Sequence, residues 1–446
     1  MQRFFFRCFI SRPSSLNRPR NRTPSLRNLR PDESVILKRS EHQSPSAHKS
    51  TKDALYSSFK DFDLRSDVVD ALKYLNLTRP TLIQMLAIPK ILRGENVLCA
   101  AETGSGKTLA YLAPIVNRLR DEEEFAGKVT RINRPRAVIL LPARELVSQV
   151  LSVAKSLCHV ARFRAVGLCG GRRKKWMIQS LESPFDIAIA TPDSLNKLSG
   201  LGHIYLSEVS HLVIDEVDTM LDRGFRNQVL DIMSRSQGPK RAAQVVLVGA
   251  TLPSQVEGEI KKRVPNLVQA MSKNLHKVLP HVEQRFLKVK PEDKAAKLVA
   301  LLRHKPKERA IVFCNTIRSC DWTAKFLAEN GIFPIKLHGS INPEDRIERH
   351  KLFQEGRSNV LVCTDIASRG LDMSLVSHVV LFDFPETTVD YIHRVGRTGR
   401  VGGPLHCTVT SLVCREREQK VAKLIVDAAK RNEAIGAVQK RHETNL

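Results

Sequence analysis

The sequence lacks the features that stabilise small extracellular proteins or hold structural metals. It contains nine cysteines, an odd number, and no two of them form a Cys-x-x-Cys pair. This pattern predicts neither a disulfide framework nor a zinc cluster, and it is typical of a reducing compartment. Long apolar runs are also absent, since residues 137–141 and 245–248 are among the longest. A bilayer crossing needs roughly 18–20 apolar residues, so we expect no membrane insertion.

Acidic residues are scarce relative to basic ones. The chain has 46 Asp and Glu against 72 Lys and Arg, a formal net charge of +26. Such a charge attracts polyanions and indicates nucleic acid as a partner more strongly than an anionic membrane surface. Hydrophobic residues make up 42% of the 446, which excludes wholesale disorder. At roughly 100–200 residues per domain, the length predicts two or three domains.

Residues 1–30 contain no acidic residue at all, but eight arginines and several phenylalanines. This composition is typical of a mitochondrial transit peptide, and Arg7 interrupts the apolar core that a secretory signal needs. The alternative is a disordered basic arm that binds RNA, with a nuclear or nucleolar location. Residues 31–52 are rich in Ser, His and Lys, which favours a linker. We therefore interpret residues 1–52 as a transit peptide and a disordered linker.

The rest of the chain alternates short apolar runs with amphipathic segments. This alternation predicts two doubly wound α/β domains with parallel sheets, facing each other across a cleft. The predicted strands are 96–100, 137–141, 165–168, 186–190, 212–214 and 245–248 in the first half, and 310–313, 335–337, 360–363 and 379–382 in the second. Helices are predicted near 320–329, 344–353 and 389–395. In such sheets, ligands bind at the carboxyl ends of the strands.

Periodicity is lost at residues 271–280, where we place a hinge. The predicted domains are then residues 53–272, which would bind the nucleotide, and residues 280–432. Residues 433–446 would form a tail.

A phosphate-binding loop follows the strand predicted to end at Ala100. It consists of Ala101, Glu102, Thr103, Gly104, Ser105, Gly106, Lys107 and Thr108. Small residues allow backbone N–H groups to surround phosphate oxygens at a helix N-terminus. Lys107 would reach the outer phosphates, and the Thr108 hydroxyl would bind Mg²⁺. The first residue is Ala101, where the P-loop pattern has glycine.

Acidic residues follow a second predicted strand and complete this chemistry. Asp215 would hold Mg²⁺ directly or through water. Glu216 would polarise the attacking water, because phosphoryl transfer depends on positioning and charge. The Asp-Glu-Val-Asp pattern alone is weak evidence for this chemistry, and beside a P-loop it is strong evidence.

The second half ends in an arginine-rich motif, residues 393–400, in which Gly396 and Gly399 separate the arginines. A guanidinium supplied across a cleft stabilises charge on a γ-phosphate in transit. These motifs predict an ATPase that uses residues of both domains.

The ordered set of motifs resembles the DEAD-box family of RNA helicases over about residues 55–430. The motifs lie at residues 80–84, 101–108, 142–146, 170–171, 191–192, 215–218, 249–251, 338–339, 364–372 and 393–400. The resemblance implies two RecA-like domains that close on ATP and single-stranded RNA.

For ATP, the resemblance implies that Gln84 reads the adenine edge with its amide and that Phe59 packs on the base. Asp372 would contact the ribose, and Arg397 and Arg400 would face the γ-phosphate. The residues implied to couple the two domains are Asp218, Gly249, Ala250, Thr251 and His393. The Gly-aromatic pair that the family has before the Gln84 element is Asn76-Leu77 in this sequence.

For RNA, the matching positions are Arg144, Gly171, Thr191, Arg346 and Thr364. They imply contacts to phosphates and 2′-hydroxyls with little sequence readout. Aromatic residues make up only 5% of the chain, which agrees with gripping the backbone.

The sequence also departs from the family pattern. Gly249 replaces a serine, Asp193-Ser194 replaces Gly-Arg, Pro343 replaces a glutamine, and Val217 replaces another small apolar residue. The first three lie where the ATP state is linked to RNA binding, so we hypothesise that ATP hydrolysis is more efficient than strand separation.

Three functions remain open at this point. The first is an ATP- and Mg²⁺-dependent RNA helicase of the mitochondrial matrix, acting on structured RNA, ribonucleoprotein or mitochondrial ribosomal subunits. The second is an ATP-gated RNA clamp or assembly scaffold with weak unwinding. The third is a DNA helicase, which the adenine-reading element disfavours because it belongs to the RNA group.

Overall fold

Both halves of the chain fold as α/β units around a parallel sheet, which confirms the predicted fold class. The computed structural model describes residues 34–37, 56–102, 104–127, 130–170, 174–221, 224–238, 241–249, 254–272, 282–365, 375–399, 403–431 and 433. The predicted transit peptide of residues 1–30 and the tail from residue 434 lie outside these residues.

The first domain has a seven-stranded sheet in the order β10-β2-β9-β6-β3-β5-β4. Its strands are β2 (Val97–Ala100), β3 (Ala137–Leu140), β4 (Ala165–Leu168), β5 (Ile187–Ala190), β6 (His211–Ile214), β9 (Gln244–Gly249) and β10 (Val268–Met271). A separate two-stranded hairpin pairs β7 (Gln237–Gly238) with β8 (Arg241–Ala242). All neighbours in the large sheet are parallel, so the carboxyl ends of its strands share one edge.

Helices cover both faces of this sheet. They are α1 (Ser66–Tyr74), α2 (Leu82–Leu92), α3 (Lys107–Ala126), α4 (Arg144–Cys158), α5 (Lys174–Leu181), α6 (Pro192–Gly200), α7 (Val217–Met220), α8 (Arg226–Ser236) and α9 (Ser254–Arg263). Two hydrophobic clusters form, one on each face, because every strand residue in the middle of the sheet is buried. One face of α3 packs on the sheet, since Leu112, Val116 and Leu119 are buried.

The second domain repeats this plan with the order β1-β11-β16-β15-β12-β14-β13, in which β1 (Ser34–Leu37) is an edge strand. Its parallel strands are β11 (Val282–Lys288), β12 (Ala310–Phe313), β13 (Ile335–Leu337), β14 (Val360–Cys363), β15 (His378–Leu381) and β16 (Cys407–Val413). Its helices are α10 (Lys294–His304), α11 (Ile317–Glu329), α12 (Pro343–Gln354), α13 (Thr388–Val395) and α14 (Glu416–Arg431). None of the helices in the described part of the chain has the length and apolar character that a membrane crossing demands.

The segment predicted as a linker contains a short strand, β1 (Ser34–Leu37). This strand pairs antiparallel with β11, with Val35 opposite Phe286. The Val-Ile-Leu run has high strand propensity, and the edge of β11 offers backbone hydrogen-bonding groups that an extended segment can satisfy. The predicted linker therefore includes an element that belongs to the sheet of the second domain.

Candidate nucleotide and RNA site

The predicted phosphate-binding loop lies between β2 and α3, at the carboxyl edge of the first sheet. Gly104 and Gly106 adopt left-handed backbone conformations, with φ of 81° and 92°. At Gly106 a Cβ would lie 2.6 Å from Nε2 of Gln84, so only glycine fits there. The Lys107 ammonium donates to the carbonyl oxygens of Ala101 at 2.8 Å and Glu102 at 2.9 Å. Phosphate oxygens of a nucleotide would take the place of these carbonyl oxygens as partners of Lys107.

Gln84 lies against this loop and is 3% exposed. Its Oε1 accepts from the backbone N–H of Thr81 at 2.9 Å, and its Nε2 donates to the carbonyl of Gly106 at 3.1 Å. An amide oxygen has two lone pairs and an amide nitrogen has two hydrogens, so each atom keeps one further bond for an adenine edge. The contact also joins the base-reading residue directly to the loop.

The departure at Asn76-Leu77 is accommodated at the end of α1. Asn76 has a φ of 58°, and the N–H of Leu77 donates to the carbonyl of Leu72 at 3.0 Å. These features form a Schellman motif, in which asparagine is the residue that most readily replaces glycine. Leu77 is half-buried and packs on the first core.

Phe59 is not presented on an open surface. It is 3% exposed, belongs to the core of the first domain and lies 6.1 Å from Phe62 between ring centroids. Its contact with a base therefore stays a prediction.

Asp215 and Glu216 follow β6 at the same edge. Oδ2 of Asp215 accepts from the Tyr111 hydroxyl at 3.1 Å, and Oδ1 accepts from the backbone N–H of Glu216 at 2.9 Å. Burial raises the pKa of Asp215 to about 7, the charge of Glu216 adds to this shift, and the ammonium of Lys107 opposes it. Carboxylate and hydroxyl oxygens are the ligands that Mg²⁺ prefers, so Asp215 and Thr108 form a suitable donor set.

Glu216 has an unusual backbone. Its φ of 53° and ψ of 48° lie in the left-handed region, which costs about 1–3 kcal/mol for a residue with a Cβ. Such strain persists where the surroundings hold it, and it is common at functional sites. Here it lets the chain turn from β6 into α7 while the carboxylate stays at the edge of the sheet.

The second domain contributes to this edge across the cleft. Nε2 of His393 lies 3.4 Å from Oδ2 of Asp218, and both side chains are largely buried. Glu216, Asp218 and His393 each place one ligand-type atom within 4.8 Å of the others. Arg397 is 4% exposed, and its Nε donates to the carbonyl of His393 at 3.2 Å. The fold thus brings Glu216, Asp218 and His393 together from two motifs that lie far apart in the sequence.

Sequence reasoning assigned no role to Arg394, yet it organises the second domain. Its Nε and one terminal nitrogen donate to both carboxylate oxygens of Asp365, at 2.7 and 2.6 Å. The same guanidinium donates to the carbonyl of Asp383 and to the side chain of Asn315, each at 2.7 Å. It therefore ties together the ends of β12, β14 and β15. Its place in the arginine-rich motif was the available signal, although the motif also suits a phosphate contact.

Residues predicted to contact RNA lie at the carboxyl ends of strands in both domains. Arg144 begins α4, Thr191 caps α6, and Thr364 follows β14. Arg346 on α12 reaches the first domain, where its guanidinium lies 3.1 Å from the carboxylate of Glu145. Glu145 adjoins Arg144, so the predicted RNA-contacting residues of the two domains meet at this point of the cleft.

The departures have different surroundings. The carbonyl of Gly249, at the end of β9, accepts from the backbone N–H of Ala101 at 3.3 Å, so it touches the phosphate-binding loop. Ser194 is 5% exposed, and its hydroxyl accepts from Thr191 at 3.0 Å. At this buried position, the side chain of residue 194 does not face an open RNA path. Six predicted site residues lie outside the described part of the chain: Thr103, Gly171, Ala250, Thr251, Asp372 and Arg400.

Comparisons with known proteins agree with this geometry. The DEAD/DEAH box helicase model matches residues 81–258, and the helicase conserved C-terminal domain model matches residues 293–402. The chain is 37% identical over 423 residues to the human protein named Probable ATP-dependent RNA helicase DDX28, covering 90% of this chain and 77% of that protein. It is 38% identical over 405 residues to DEAD-box ATP-dependent RNA helicase 39 of Arabidopsis thaliana, covering 89% of this chain.

The chain spans 64% of the length of the Arabidopsis relative. Among solved structures, S. cerevisiae Dbp5 bound to RNA and ADP BeF3 is similar, with a TM-score of 0.73 and 25% identity. The match covers 86% of this chain and 99% of that chain, so it includes both domains. With these two domain models, relatives and site geometry in agreement, the chain belongs to the DEAD-box family of ATP-dependent RNA helicases.

Proposed function

We propose that this protein is an RNA-dependent ATPase that couples ATP hydrolysis to local remodelling of RNA duplexes or ribonucleoprotein in mitochondria. The observation that carries the proposal is the contact of His393 with Asp218, beside Glu216. It joins a residue of the second domain to the edge where hydrolysis would occur. Any ligand that closes the cleft therefore acts on that edge.

For ATP, Lys107 and the backbone N–H groups of its loop would hold the phosphates, and Gln84 would read the base. Thr108 and Asp215 would hold Mg²⁺, which when bound neutralises charge that develops on the phosphate oxygens. Glu216 would orient and polarise the attacking water. Arg397 and Arg400 would face the γ-phosphate from the second domain, and Asp372 would contact the ribose.

For RNA, Arg144, Gly171 and Thr191 of the first domain and Arg346 and Thr364 of the second would contact one strand through phosphates and 2′-hydroxyls. A strand that binds both domains favours the closed arrangement, in which His393 reaches Asp218. ATPase activity should then depend on RNA. RNA affinity should fall by roughly 0.7 log unit per log unit of salt for each phosphate contacted.

The central test compares Lys107→Ala and Glu216→Gln with the parent, using RNA-stimulated ATP hydrolysis and binding of a fluorescent ATP analogue. Lys107→Ala should abolish both hydrolysis and analogue binding. Glu216→Gln should keep binding and stop turnover, because the amide cannot act as a base. Matched controls are Lys325→Ala and Glu329→Gln, two exposed residues of α11 whose charged groups lie 4.0 Å apart. Normal turnover in Glu216→Gln would show that its assigned role is wrong.

A second candidate function is an ATP-gated RNA clamp with weak unwinding, favoured by Gly249. The carbonyl of Gly249 contacts the phosphate-binding loop, but the residue has no hydroxyl to join the acidic edge. Gly249→Ser should raise duplex separation per ATP consumed more than it raises ATPase activity. A matching Ser194→Arg change is not included, because that buried position would have to rearrange around an arginine. Equal duplex separation per ATP in the parent and the variant would favour the helicase function over the clamp.

The proposed mitochondrial location rests on residues 1–30, with their arginines and lack of acids. Fused to a fluorescent reporter, this segment should direct it to mitochondria. A nuclear or cytosolic signal would instead favour an RNA-binding arm. Ribosomal subunits of the organelle are then the proposed ribonucleoprotein target, by analogy with the family's work on structured RNA.

A further inference from the structure

Tyr111 lies beneath the phosphate-binding loop, on the same face of α3 as Lys107 and Thr108. It follows Thr108 by three residues and Lys107 by four, a spacing that stacks side chains on one side of a helix. Tyr111 is fully buried, and its hydroxyl donates to Oδ2 of Asp215 at 3.1 Å. This hydroxyl therefore fixes one of the two side chains that would hold Mg²⁺, and the other, Thr108, lies three residues away on the same helix.

We propose that Tyr111 is a positioning residue whose hydroxyl holds the carboxylate of Asp215 in the orientation that Mg²⁺ and ATP require. This inference rests on the proposed ATPase function. Tyr111 belongs to none of the sequence motifs described above, because the phosphate-binding loop ends at Thr108.

The geometry explains why a hydroxyl is needed at this point. The backbone N–H of Glu216 already fixes Oδ1 of Asp215 at 2.9 Å. With the Tyr111 hydroxyl on Oδ2, the carboxylate has one donor on each oxygen and cannot rotate freely. Each oxygen keeps a lone pair for a metal ion or its water. Without the hydroxyl, one oxygen of the buried Asp215 carboxylate loses its fixed partner. The carboxylate is still present as a ligand for Mg²⁺, but its orientation is no longer fixed.

Tyr111→Phe tests the proposal with the smallest possible change. Phenylalanine fills the same space, so no cavity forms, and only the hydroxyl is removed. Residues that orient metal ligands typically affect metal affinity by about 10–100-fold. The Mg²⁺ concentration for half-maximal binding of a fluorescent ADP analogue should therefore rise by about 10-fold or more. The same shift should be seen in RNA-stimulated ATPase activity, with kcat recovering at high Mg²⁺.

Tyr391→Phe is the matched control. Tyr391 is also buried, and its hydroxyl donates to the side chain of Gln284 in the second domain, away from the nucleotide residues. This variant loses one buried hydrogen bond but should keep the Mg²⁺ dependence of the parent. Melting temperature, measured without nucleotide, reports any general loss of stability in either variant.

Two results would overturn the positioning role. One is an unchanged Mg²⁺ dependence in Tyr111→Phe, and the other is an equal shift in both variants, which would indicate general destabilisation. Failure of the proposed function is distinguishable, because it would appear in the parent as absence of Mg²⁺-dependent nucleotide binding. A shift confined to Tyr111→Phe supports the inference.

Discussion

In the second domain, the carboxylates at the carboxyl edge of the sheet pair with basic side chains of the same domain. Asp365 accepts two bonds from Arg394, and Asp383 lies 2.7 Å from the ammonium of Lys294. In the first domain, Asp215 contacts a tyrosine hydroxyl and a backbone N–H, and Asp218 contacts His393 from across the cleft. The same fold therefore carries one acidic edge that is neutralised within its domain and one that is completed from outside it.

The pKa values follow this difference. Burial raises the pKa of Asp215 to about 7, because the nearby charge of Glu216 adds to desolvation. Burial would also raise the pKa of Asp383, but Lys294 and hydrogen bonds from Ser319 and Asn315 hold it below its usual value. The edge of the first domain thus leaves its carboxylates available to a metal ion, whereas basic side chains hold the carboxylates of the second.

The largest expected effect comes from breaking the neutralised edge. Arg394→Ala should destabilise the second domain by about 3–5 kcal/mol, because it removes four hydrogen bonds of a buried guanidinium, two of them to a carboxylate. The measurement is thermal and urea unfolding of the whole chain, following the transition of the second domain. Arg318→Ala, at an exposed residue of α11, is the control and should change stability little. A loss below about 1 kcal/mol for Arg394→Ala would contradict the structural role.

A smaller effect is expected from His378, the first residue of β15. Its pKa is lowered to about 4, chiefly by burial, and its Nε2 contacts the hydroxyl of Thr410 at 2.9 Å. In the unfolded chain this histidine takes up a proton near pH 6.5, so its contribution to the free energy of unfolding is fully present above that pH. That contribution is lost as the pH falls from about 6.5 to 4, by about 3 kcal/mol in total.

His378→Gln should remove that part of the pH dependence, as measured by urea unfolding at several pH values. His211 occupies the matching first position of β6, where its Nδ1 contacts Gln244 at 2.9 Å. His211→Gln should act on the first domain, which separates the two contributions. The same acid slope in His378→Gln and the parent would show that His378 does not cause it.

The smallest effect compares matching helix ends. Asn76 and Gly331 are the second residues after α1 and α11, with φ of 58° and 77° and the same pair of backbone hydrogen bonds. Asn76→Gly should leave stability nearly unchanged, because glycine adopts this conformation without strain. Gly331→Ala should cost about 1 kcal/mol, from backbone strain alone, since a Cβ there meets no atom within 4 Å. Melting temperatures of the two variants check this, and a large loss in Asn76→Gly would indicate a role for its side chain.

Features that are contiguous along the chain could be predicted from the amino-acid sequence. The buried parallel strands appear as short apolar runs between polar segments, and all ten predicted strands are present within about one residue at each end. The phosphate-binding loop and the acidic motif were equally readable, because their chemistry lies within eight neighbouring residues. β10, β11 and β16 were not predicted, since their alternation is weak or their runs include polar residues such as Gln284 and Thr410.

The tertiary structure decided the contacts between distant residues. The Tyr111 hydroxyl meets a carboxylate 104 residues away, and Arg394 meets one 29 residues away. Such pairs leave no periodic signal, because they depend on which strand ends lie side by side in the sheet. The strand at residues 34–37 is a similar case, since a three-residue apolar run becomes part of a strand only when a sheet edge satisfies its backbone. Local patterns specify elements and motifs, whereas the order of strands and the closing of the cleft specify the partners of each charged group.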